Sequence, residues 1–235
     1  MNEQNQNQGE HLNAFERMIN VFFSPGKAMA SVAAKPSWVL PVILVTLISI
    51  VFTMSAKQVI IHETLTKQEQ KMLERDMDPD QIDEILSRTE GWMNISMPIG
   101  ALVFPVIMIV IVSAIYLFVG NVILGGSASF KPVFAVTAHA WLIFSVGSLV
   151  ALPIVLSKET VQVSFSLATL LSEQARETFL YQFLTKIDIF AIWYLGVQSI
   201  GLAAVYNMST KKMATTLAIL YLLYAVIASS LAAIF

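Results

Sequence analysis

The chain has 235 residues, a net charge of −2, 56% hydrophobic residues and only 13% charged ones. Soluble domains carry about 25% charge, so a water-soluble fold of this length is excluded and much of the apolar surface must face lipid. The near-neutral balance excludes a nucleic-acid footprint, and the absence of cysteine excludes disulfides and thiolate metal sites.

Residues 1–10, MNEQNQNQGE, are polar and aperiodic, and are expected to be disordered. No basic stretch or small-residue cleavage site precedes the first apolar run, so that run is expected to be a retained span and not a secretory signal. Between them, Leu12, Phe15, Met18, Ile19, Phe22 and Phe23 fall mostly on one helical face. Such a helix lies on a membrane surface or packs on the cytoplasmic face of its own protein. Phe15, Met18, Ile19 and Phe22 are the candidate membrane-surface residues. The SPGK stretch at 24–27 then breaks the pattern as a turn. Residues 1–35 therefore read as a cytoplasmic N-terminal tail, and 36–235 as the transmembrane domain.

A span needs roughly 20 apolar residues of helix. Five runs meet that length, at about 37–56, 95–119, 134–156, 188–206 and 214–234. The expected class is all-α: a polytopic integral membrane protein with five transmembrane helices and amphipathic surface helices. The extracytoplasmic insert 57–94 holds five basic residues against nine acids in its polar part, Lys57 to Gly91, and reads as two short amphipathic helices. Asp78 is the expected cap of the second, with Pro79 in its first turn. The insert 157–187 is expected to carry one interfacial helix across TLLSEQARETFLYQFL. The two short loops carry Lys131, Lys211 and Lys212 without an acid, on the side of the N-terminus. Lysine bias in short loops places that side in the cytoplasm and the C-terminus outside; the membrane is expected to be a cell inner membrane.

Ionisable and polar residues inside spans are the candidate pathway residues: His139, Asp188, Ser199 and Tyr206. The competing role for His139 is a histidine bonded within the bundle, and for Asp188 a first-turn acid stabilised by free N–H groups. Ser199 and Tyr206 share a face with Asp188, either lining a cavity or bonding neighbouring helices. Small residues four apart, Ser199 and Ala203, Ala225 and Ser229, Ala228 and Ala232, mark close helix contacts within the bundle or between chains. Pro105 is expected to kink its span, and Trp38 and Trp92 to anchor at the interface. Ser129, Lys131, Ala138, Trp141 and Leu142 match Ser209, Lys211, Ala218, Tyr221 and Leu222 at an offset of 80, by duplication or by chance. The three histidines, His11, His62 and His139, are scattered, and no Walker loop, nucleophile elbow or dinucleotide fingerprint is present. No catalytic residue, cofactor or metal site is expected.

The segments FERMINVFFSPGKAMASVAAKPSWVLPVIL, GGSASFKPVFAVTAHAWLIFSVGSLVALP and DIFAIWYLGVQSIGLAAVYNMSTKKMATTLAILYLLYAVI resemble bacterial members of the Yip-domain family, the Ypt/Rab-interacting membrane proteins. The resemblance implies five spans with a cytoplasmic N-terminus. Small-GTPase binding is implied only by the eukaryotic relatives, whose longer cytoplasmic motif region this chain lacks. The expected function is non-enzymatic: a membrane organiser or scaffold binding membrane lipids and other membrane proteins or further copies of itself. The alternative is a transporter or channel for a small solute or ion.

Overall fold

Asn13 starts the first helix in the computed structural model, which describes residues 12–234; the tail 1–10 and His11 lie outside the described residues. Its side chain accepts from the Phe15 and Glu16 amides, while the Glu16 carboxylate accepts from the Asn13 amide at 2.7 Å. This reciprocal cap satisfies N–H groups that a helix start otherwise leaves free. Helix α1 (Ala14–Phe23) ends at Ser24, and the chain does not turn away there. Pro25 opens a second helix, α2 (Pro25–Ala34), because the first helical position is the one where a missing N–H costs nothing. The SPGK break is thus one residue long, and α2 was not legible as a helix.

Helix α3 (Val39–Ser55) is apolar and meets α4 (Lys57–Leu73) at a 63° bend around Ala56. Asp78 then caps α5 (Pro79–Phe118) by accepting from the Asp80 amide at 2.9 Å. α5 is 40 residues long and continues unbroken through Pro98 and Pro105. At 1.5 Å per residue it reaches about 60 Å, roughly twice a bilayer core. The short polar helix expected before the second span is therefore the free end of that span. A π-turn follows over Val119–Ile123.

The third apolar run forms α6 (Phe130–Ala140) and α7 (Leu142–Lys158), divided at Trp141. The insert after it contains less helix than expected. Two short 3-10 turns precede α8 (Phe179–Lys186), and an isolated antiparallel bridge joins Ser166 to Asp188. Thr178 caps α8 by accepting from the Tyr181 amide. α9 (Ile189–Tyr206) and α10 (Thr210–Ile234) complete the chain.

Among the described residues, four helical segments are long and apolar enough to cross a membrane, with α6 and α7 taken together as one, and five if the bent α3–α4 pair counts as one span. The molecule is an all-α polytopic membrane protein. α9 is its central helix: half of its spanning window is buried, against 17% for α10. It packs on α2, α6, α7 and α10. Gly201 permits close approach to two of them, since a Cβ there would stand 2.3 Å from Val136 of α6 and 3.1 Å from the Met29 sulfur of α2. The small residues of α10 serve the same purpose, with Ala225 and Ser229 both buried within the chain. By contrast α5 shows Ile95, Ile99, Leu102, Phe104, Ile107 and Ile111 at its surface, which suits a helix whose outer face meets hydrocarbon.

Candidate functional site

The two ends of the bundle differ in construction. One end gathers α1, α2 and the loops before α6 and after α9; the other carries the α4–α5 hairpin and the 159–188 segment. We call them the platform end and the hairpin end.

At the platform end α1 has two opposed faces. Arg17, Met18 and Val21 are buried, whereas Phe15 is 64% exposed, Ile19 42% and Phe23 81%. Arg17 holds the buried side in place. Its guanidinium donates from Nε to the Leu12 carbonyl at 3.0 Å, and from Nη1 to the Lys35 carbonyl at 2.8 Å and the Ser37 hydroxyl at 3.1 Å. It therefore ties α1 to the linker that enters the first span. Phe22 packs edge-on against Trp193 of α9 at 5.7 Å. Of the four expected membrane-surface residues, Phe15 and Ile19 face outward, Met18 is buried, and Phe22 packs partly on the bundle. Phe23 completes the outward row. The positions 15, 19 and 23 repeat every four residues, so they form one stripe along the helix.

The intramembrane candidates are spread apart and have separate partners. His139 is 1% exposed, and its Nδ1 donates to the Ala135 carbonyl of its own helix at 2.8 Å. The Nε2 atom of the ring is buried without a hydrogen-bond partner. Asp188 caps α9, accepting from the Phe190 amide at 2.8 Å and the Ala191 amide at 3.3 Å. The Ser199 hydroxyl donates to Leu195 one turn back at 2.6 Å. Tyr206 reaches across to α5, where its hydroxyl lies 3.5 Å from the carbonyls of Tyr116 and Leu117.

Tyr206 sits against the π-turn. A Cβ at Gly120 would lie 2.1 Å from the Tyr206 ring, so only glycine leaves room for it. The loop is then closed by Asn121, which exchanges two hydrogen bonds of 3.0 Å with Ala128, and by the Gly126 amide donating to Gly120 at 2.9 Å.

Two polar contacts escaped the sequence reading. Gln198, fully buried on α9, donates to the Thr137 hydroxyl of α6 at 3.1 Å. Its signal was available, because it is the one amide within Ile189–Tyr206. At the hairpin end Glu63 accepts from Lys67 Nζ at 2.7 Å, Gln162 Nε2 at 2.6 Å, the Val161 amide at 2.9 Å and the Thr160 hydroxyl at 3.1 Å. Burial alone would push this carboxyl up, but the four donors outweigh it and hold the pKa at about 2. The carboxylate thereby latches α4 to the segment after α7. Among the described residues, no group of three or more histidine, cysteine or acidic side chains is placed to hold a metal.

A family model, the Yip1 domain, matches residues 19–232. No curated protein and no solved structure matches the chain.

Proposed function

The chain belongs to the Yip1-domain family, and from that premise we propose that it is a non-enzymatic organiser of a bacterial inner membrane, binding lipid and partner membrane proteins through its platform end. The observation that carries this reading is the construction of α1. Arg17, Met18 and Val21 fix the helix to the bundle, and the apolar stripe of Phe15, Ile19 and Phe23 is left uncovered. Burying three such side chains in the interface is worth on the order of 5 kcal/mol, enough to hold an amphipathic helix in the headgroup region. Lys131, Lys211 and Lys212 lie at the same end as α1 and support a cytoplasmic platform. The C-terminus of α10 then lies outside.

The transporter reading has less behind it. Ser199 bonds within its own helix and Asp188 caps the same helix, so neither is left to line a path.

The test is the triple substitution F15S/I19S/F23S, which keeps the packing face of α1. We expect normal insertion of the spans, with altered membrane distribution and loss of crosslinked membrane partners. Unchanged distribution and partners would reject the proposal, and solute or proton flux in proteoliposomes of the wild-type chain would replace it with a transporter.

A further inference from the structure

The platform end also carries a recess of about 590 Å³, outside α1 and separate from its stripe. Its walls come from α2, from the loop before α6 and from the end of α9, among them Ala30, Ala33, Ser127, Ser129, Ala204 and Asn207. The volume falls within the roughly 300–1,000 Å³ of small-molecule sites. The lining combines the methyl groups of five alanines with two serine hydroxyls and one asparagine amide.

The charged residues that flank the lining residues in sequence are all basic. Lys35 follows the lining residue Ala34, and Lys131 lies between the lining residues Ser129 and Pro132. Lys27 stands three residues before Ala30, and Lys211 four residues after Asn207. All four lysines are exposed, and no acidic residue lies within four positions of any lining residue.

We propose that this recess binds the headgroup of an anionic phospholipid from the leaflet at the platform end. The lysines meet the phosphate charge, and each one near an anionic surface contributes about 1 kcal/mol of attraction, a factor of roughly five in binding. Ser127, Ser129 and Asn207 supply hydrogen bonds to the headgroup oxygens. The alanine walls receive the first apolar atoms below the headgroup, which a free phosphate would leave unused. The position fits, because the recess lies where α6 begins and α9 ends, the depth at which headgroups reside.

Native mass spectrometry of the full chain, released from micelles holding equal amounts of phosphatidylglycerol and phosphatidylethanolamine, tests the proposal. Wild-type protein should retain phosphatidylglycerol preferentially. The pair K131Q/K211Q should lower that preference about tenfold or more. A33L, which fills the recess without touching a charge, should lower retention as well. The pair K57Q/K71Q at the hairpin end should leave it unchanged. Equal retention of both lipids by wild type overturns the proposal, as does an equal loss in both lysine pairs. Occupancy by soluble glycerol phosphate that phosphatidylglycerol does not displace would assign the recess to a free phosphate ester and overturn it too.

Discussion

Glu63 gathers donors from its own helix and from one distant stretch of chain, and its chemistry gives a pH test. Its folded carboxyl ionises at about 2, below the ordinary 4.5. A lowered acid pKa adds stability that is complete above about pH 4.5 and is lost as the pH falls through 2. Neutral-pH stability of the latch should therefore be flat, with loosening confined to that acidic window. E63A should open the latch at every pH, raising hydrogen exchange at the Val161 amide about tenfold at pH 7, as expected for about 1.4 kcal/mol of lost charged hydrogen bonding. Unchanged exchange at Val161 would show that the latch does not form. Legibility at this scale follows sequence distance. Asp78 and Asp188 could be recognised as caps because the amides they accept from lie two or three residues away. Glu63 could not, because its partners across the fold lie 97 to 99 residues on. The Arg17 clasp is equally hidden, because the Lys35 and Ser37 groups it ties to α1 lie 18 and 20 residues away.

Helices obey the same division. The apolar spans were readable from their length, but α2 was not, and neither were the helix extents. α5 joins a polar piece to an apolar one, and hydropathy marks the change of solvent without marking an end to the helix. The insert after α7 failed in the opposite sense. Its helical spacing holds only from Phe179 onward, since the stretch before it is spent on short turns and a bridge to Asp188. Where α9 meets the end of α5 and the π-turn, the Tyr206 ring packs closely over Gly120, one turn from the Tyr116–Tyr194 hydroxyl contact at 3.4 Å. G120A should destabilise the protein by about 2 kcal/mol, the scale of an overpacked core, measured by thermal unfolding in detergent. Combining it with Y206L removes the ring atoms that the new methyl would meet, so the double variant should be more stable than the sum of the two predicts by about 1 kcal/mol. Strict additivity would mean that the ring and the glycine do not touch.

For the whole molecule, the composition alone required lipid, and the fold supplies the architecture: a bundle around α9 with an outward-facing α5. The sequence left open whether α1 lies on lipid or packs on its own protein. The structure answers that it packs by one face and leaves the other bare, a division that periodicity does not reveal because both faces carry apolar residues. The platform reading depends on what covers the bare face. The chain has no native cysteine, so single spin labels can be placed at positions 15, 19, 20 and 23 and their depth read from oxygen and nickel-chelate relaxation in nanodiscs. The account predicts labels at 15, 19 and 23 in the boundary between headgroups and acyl chains, with the label at 20, about 100° round the helix from 19, in water. Equal water exposure at all four positions would contradict it.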